Sequence, residues 1–162
     1  MVDEKLFEKL SARIKNSRND FVELERLLTS IPALGPINGG KGEWAKAKAL
    51  RQYLEAAGFG RPEEYNALDS SVPEGTRPNM VFRIPGKKKA PTIWFLTHLD
   101  VVPPGEGWNQ DPFTLKVEAD RVIGRGGGRQ PTGTSGNGDG RTGIYRGKNH
   151  AGIPHRLGFR FR

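Results

Sequence analysis

An α/β fold, with helices packed on a mixed β-sheet, is what this sequence predicts. The prediction rests on three observations: apolar residues at helical spacing as far as residue 57, a continuous β-prone run ending at Thr97, and two short alternating segments around Ala119-Asp120.

Phe7, Leu10 and Ile14 fall at helical spacing. Asp20 with Glu23 forms a capping-box pattern ahead of Phe21, Leu24, Leu27 and Leu28, so two consecutive helices, or one helix broken near Asn19, are expected. The prolines of Ile31-Pro32-Ala33-Leu34-Gly35-Pro36 remove backbone donors and restrict the residues before them, which stops the helical pattern; a loop is expected from about Ser30 to Gly42. Trp44, Ala45, Ala47, Leu50, Tyr53 and Leu54 then recur on one face, with Gly58 where a left-handed cap belongs. That spacing predicts a helix from about Glu43 to Ala57.

Asn79–Ile84 alternates and stops at Pro85-Gly86, reading as an edge-like strand, while Pro91–Thr97 reads as a buried central one. Lys87-Lys88-Lys89 between them is expected to be a solvated turn. Thr114–Glu118 and Arg121–Gly124 flank a tight connection and predict a β-hairpin.

At 162 residues the chain is long enough for one core of ordinary size. It contains no cysteine, which excludes disulfides and thiolate metal sites, so a metal would have to be held by His and carboxylates. The charged start, Met1-Val2-Asp3-Glu4-Lys5, leads into an amphipathic pattern rather than an apolar signal core, and no run approaches a membrane-spanning length; a cytoplasmic protein without membrane association is expected.

Charge divides the chain. Lys plus Arg minus Asp plus Glu is 19 minus 17, or +2, over residues 1–126, and 7 minus 1, or +6, over residues 127–162. Residues 127–140 contain no apolar side chain able to build a core, so an organised region 1–126 followed by a disordered, basic Gly/Arg-rich tail 127–162 is expected. The tail's cations offer an alternative function, a nucleic-acid-binding module, but only Tyr145, Phe159 and Phe161 there provide stacking surfaces. Gly124, Gly126, Gly127 and Gly128 match neither nucleotide-loop fingerprint, and Asn137-Gly138-Asp139-Gly140 lacks the alternating carboxylates of a calcium loop.

His98 and Asp100 stand two apart at the C-terminal end of the second strand, so both project from one face where α/β proteins commonly place ligand sites. The spacing suits a metal-binding imidazole and the acceptor that fixes its second ring nitrogen. His-x-Asp alone is short and common, and the wider context gives it weight. The string Thr97-His98-Leu99-Asp100-Val101-Val102-Pro103-Pro104-Gly105-Glu106-Gly107-Trp108-Asn109-Gln110-Asp111-Pro112-Phe113, followed by a hairpin and Gly124-Arg125-Gly126, resembles the zinc peptidase and deacylase family of succinyl-diaminopimelate desuccinylase, acetylornithine deacetylase, aminoacylase and glutamate carboxypeptidase. Ser30-Ile31-Pro32 and the helix ending in Ala57-Gly58-Phe59 follow the same family's N-terminal pattern, so the resemblance covers about residues 3–126. Trp108, Pro112 and Phe113 are expected to pack down the long connection rather than to touch substrate.

The resemblance implies a truncated three-layer α/β/α catalytic domain that cleaves amide bonds of N-acyl amino acids or small peptides with two zinc ions. It implies that His98 is a zinc ligand and that Asp100, on the catalytic side of the assignment, orients it. In the family, the bridging Asp, the general-base Glu, further ligands and a dimerisation domain follow Gly-Arg-Gly. Here Gly127-Gly128-Arg129 stands where the bridging Asp is expected, and the others have no counterpart. His150 and His155 lack the acidic partners a zinc site needs. The chain is therefore expected to be an inactive fragment. Shifting the frame by one base after residue 126 permits Val-Glu-Asp-x-Asn-Gln-Gln-Gly, close to the family's sequence there, so the tail reads as an out-of-frame translation.

Overall fold

A computed structural model describes residues 3–86, 91–119 and 121–126, together with the backbone of residues 143–145 and 157–161. The chain opens with helix α1 (Glu4–Asn16), whose N-terminus is capped by the Asp3 carboxylate accepting from the Leu6 N–H at 3.1 Å. The Ser17 hydroxyl turns back on the Arg13 carbonyl at 3.1 Å and closes α1, and α2 (Arg18–Thr29) starts at once. Two consecutive helices thus form, as expected, with their boundary at Ser17, and Asp20 sits inside the first turn of α2 without capping it. An acidic residue there still faces the positive end of the helix.

The expected loop follows, containing one short 3-10 turn at Pro36–Asn38. Helix α3 (Trp44–Ala56) stops where the sequence places its stop. Gly58 takes φ +88°, its N–H donates to the Glu55 carbonyl at 3.1 Å, and the Phe59 N–H donates to Leu54 at 3.0 Å. This paired arrangement satisfies the last helical carbonyls and turns Phe59 back against the core.

Three two-residue strands not anticipated from the sequence come next: β1 (Glu63–Glu64), β2 (Ala67–Leu68) and β3 (Thr76–Arg77). Strands β2 and β3 pair antiparallel with each other. The principal sheet contains β1, β4 (Met80–Ile84), β5 (Ile93–Thr97), β8 (Gly143–Tyr145) and β9 (Leu157–Phe161), in the order β1-β4-β9-β5-β8. Only the β4–β9 pairing is parallel, so the sheet is mixed. Strands β6 (Lys116–Val117) and β7 (Val122–Ile123) form the expected hairpin, with Lys116 opposite Ile123. Helices and sheets together make a mixed α/β domain.

Two strand expectations need correction. Strand β4 is not an edge: β1 pairs on one side and β9 on the other, both from sequence-distant segments that no local pattern reveals. Strand β5 is central in the sheet but not buried; Ile93 is 52% exposed and the other four residues are half-buried. The closest packing lies over β4 instead. Ala47, Leu50 and Leu54 of α3 meet Met80 and Phe82, with Leu24 and Leu28 of α2, Tyr53, Phe59 and Leu99 around them. Phe82 and Phe59 meet edge to face at 6.4 Å. By contrast α1 buries no residue, although Phe7, Leu10 and Ile14 keep their helical spacing.

Of the tail expected to be disordered over residues 127–162, the backbone of 143–145 and 157–161 forms strands β8 and β9; the rest of it, and the Lys87-Lys88-Lys89 turn, lie outside the described residues. Among the described residues no helix is long and apolar enough to cross a membrane.

Candidate functional site

Strand β5 delivers the chain to a turn at residues 98–103. Leu99 packs against the core, so His98 and Asp100 on either side of it face outward, with 36% and 54% of their side chains exposed. The structure brings the two predicted residues together. His98 Nδ1 lies 2.9 Å from the Asp100 main-chain oxygen and 3.1 Å from its carboxylate Oδ1. Both neighbours are acceptors, so Nδ1 must carry the hydrogen, and in the neutral ring the lone pair then belongs to Nε2. That is the tautomer an imidazole adopts when one nitrogen is held and the other is presented to a ligand.

Two segments hold this turn. On one side the Val101 N–H donates to the Ala33 carbonyl at 3.0 Å, and Leu34 forms an isolated parallel bridge with Val101. The Ile31–Pro36 loop therefore supports the site. On the other side Arg125 reaches over from the segment after β7: its Nε donates to the Val102 carbonyl at 2.8 Å and its Nη2 to that of Pro103, while its backbone N–H donates to Pro112 at 2.6 Å. Farther along, Trp108 is half-buried and its indole N–H donates to the Pro104 carbonyl at 2.8 Å; Pro112 and Phe113 are also half-buried, as expected for packing residues.

The glycines flanking Arg125 have separate physical reasons. At Gly124 a Cβ would meet Thr29 Cγ2 at 2.8 Å and Leu115 Cδ1 at 3.1 Å, so only a hydrogen fits. Gly126 adopts φ +95°, a conformation that L side chains rarely accept.

Beneath the turn lies Lys46, only 4% exposed on the buried side of α3. Burial pulls its ammonium down to about 8, opposed by the carboxylates of Asp100, Glu25 and Glu43. Burial in turn raises Glu25 and Glu43 above the usual carboxylate range, against the attraction of Lys46 for the first and Arg77 for the second. Arg77 Nη1 is 2.8 Å from Glu43 Oε1 and its Nε is 3.1 Å from Asp69 Oδ2, tying the start of α3 to the β2–β3 hairpin.

Neither Lys46 nor Arg125 was singled out by motif. Lys46 did leave a trace, a charge in line with Leu50 and Leu54 at successive four-residue steps. Arg125 left none beyond its place in Gly-Arg-Gly.

His98 fits a metal ligand in its tautomer and exposure. Among the described residues, however, no group of three or more His, Asp or Glu side chains is arranged to hold a metal, so they do not make a metal site by themselves. His150 and His155 lie outside the described residues.

Comparison with known proteins supplies the wider setting. No family model matches the chain, and no solved structure matches it. Among curated proteins, a succinyl-diaminopimelate desuccinylase of Gluconobacter oxydans is 39% identical over 107 residues, covering 66% of this chain and 25% of that protein. An uncharacterized metallohydrolase of Methanocaldococcus jannaschii is 36% identical over 114 residues, 65% of this chain and 27% of that protein. An acetylornithine deacetylase of Dictyostelium discoideum is 36% identical over 111 residues, 64% of this chain and 24% of that protein. The chain thus spans about a quarter of the length of the curated relatives it matches. The relatives that the chain matches over about two thirds of its own length are thus succinyl-diaminopimelate desuccinylase, acetylornithine deacetylase and metallohydrolases, the same family that its sequence motifs resemble.

Proposed function

We propose that residues 1–126 are the N-terminal part of a three-layer zinc-hydrolase catalytic domain that removes acyl groups from N-acyl amino acids or cleaves small peptides, and that this chain by itself does not catalyse the reaction. The relatives' names support the class, since a desuccinylase and a deacetylase both release an acyl group from an amino compound. The observation that carries the role of His98 is its ring geometry: Nδ1 is engaged by Asp100 at 2.9 and 3.1 Å, and Nε2 is left as the ligating nitrogen. In this reading His98 is one zinc ligand and Asp100 is the group that fixes its tautomer. Inactivity follows from ligand count, because one imidazole does not hold a catalytic zinc.

The experiment is a zinc titration of the purified chain combined with assays on N-succinyl- and N-acetyl-amino acids. Weak zinc binding that disappears in His98→Ala, with no turnover at any zinc concentration, is expected. Zinc-dependent hydrolysis by the purified chain would overturn the inactivity, and zinc binding unaffected by His98→Ala would overturn the ligand assignment.

A further inference from the structure

The orientation of the His98 ring depends on a main-chain atom. Its Nδ1 hydrogen is shared between the Asp100 carboxylate and the Asp100 carbonyl, the latter at the shorter distance of 2.9 Å. A carbonyl cannot be re-aimed by a side-chain rotation; it points where the chain path sends it. Whatever fixes the path of residues 100–103 therefore fixes the ring.

One flank of that path is the Val101 N–H to Ala33 bond. The other is Arg125, whose two guanidinium nitrogens donate to successive carbonyls, Val102 and Pro103. The backbone that carries the Arg125 side chain is itself held in place. Its own N–H is bonded to Pro112, and the preceding Gly124 is pressed against fully buried Thr29, so the base of the clamp cannot drift. A planar, always-charged fork matches two adjacent acceptors in a way that a single ammonium cannot.

We propose that Arg125 is a positioning residue for His98, acting through the main chain of Asp100–Pro103. The assignment rests on His98 being the functional group of this turn, but the test uses the metal-free full chain. It can therefore fail while the zinc-ligand reading stands, and the reverse.

Imidazole nitrogen resonances of the neutral ring report which nitrogen carries the hydrogen. In the unaltered chain the Nδ1–H form is expected to dominate His98. Arg125→Met is expected to reduce that preference about tenfold, the effect of losing one hydrogen bond's net worth from the arrangement. It is also expected to speed amide exchange at Val101 while leaving Leu50 and Leu54 of α3 protected. Arg125→Lys keeps the charge and is expected to fall between the two. An unchanged tautomer preference in Arg125→Met overturns the proposal. So does equal loss of protection at Leu50, Leu54 and Val101, which would make Arg125 a support of the whole domain. Full retention of the unaltered behaviour in Arg125→Lys overturns the two-carbonyl fork.

Discussion

Phe82 in β4 is completely buried, whereas Asp100, in the turn after β5, has 54% of its side chain exposed. The first region is held by apolar contact between α3 and β4, the second by directed polar contacts from Arg125, Ala33 and the charge of Lys46. Apolar packing is non-directional and tolerates small adjustments of angle, while a hydrogen bond weakens steeply when its geometry is lost. The domain therefore uses packing where it needs mass and polar clamps where it needs aim.

Perturbing the packed region should have the largest effect. Phe82→Ala is expected to lower stability by about 3–5 kcal/mol, from lost burial and the cavity left behind. Urea denaturation measures this, and a loss under 1 kcal/mol would mean that β4 is not the centre of the core.

Next in size is the buried cation that joins the two regions. With its native value pulled from 10.5 to about 8, Lys46 binds its proton more tightly in the unfolded chain. The contribution of Lys46 to stability should therefore be lowest and flat below about pH 8, and should rise as pH climbs towards 10.5, by up to about 3 kcal/mol. Denaturation midpoints across that range should show the slope, and Lys46→Met should lose it. An identical slope in both proteins would place the titration elsewhere.

Gly124→Ala comes third, at about 1–3 kcal/mol, because the added methyl must displace Thr29 and Leu115. Thermal melts compared with Gly105→Ala set crowding against backbone preference, since nothing lies within 4 Å of a Cβ at Gly105 but its φ is positive, at +72°, whereas Gly124 is crowded and is not among the positive-φ glycines. A loss below about 0.5 kcal/mol in Gly124→Ala would show that crowding at Gly124 contributes nothing.

The smallest effect should come from α1. Ile14 is 74% exposed, so Ile14→Ser is expected to change stability by no more than about 0.5 kcal/mol. A loss above 2 kcal/mol in the isolated chain would show that this face of α1 is covered in solution.

What the sequence revealed tracks how local each interaction is. Helix α3 was legible at both ends, because its apolar spacing and its Gly58 stop lie within one window of residues. The His98–Asp100 pair was legible for the same reason. The chain was harder to read wherever the partner is remote. Strands β1, β2 and β3 are too short to show a period, and β4 looked like an edge because the strands flanking it come from distant segments. The spacing in α1 correctly predicted a helix, but amphipathicity does not say whether a partner will cover the apolar side. Ser17 ended α1 by a hydroxyl-to-carbonyl bond that the capping pattern at Asp20 obscured. Arg125 was invisible as a clamp, since its acceptors are main-chain oxygens that any sequence supplies.

That last property bears on how the turn is able to change over time. Because Arg125 recognises carbonyls rather than side chains, it is indifferent to which residues occupy positions 102 and 103 as long as the chain keeps its course. Variation at those two positions is buffered, while the course of the chain rests on one guanidinium and on the Val101–Ala33 bond of the opposite flank. The turn can thus acquire new surface chemistry beside His98 without dismantling what aims the ring.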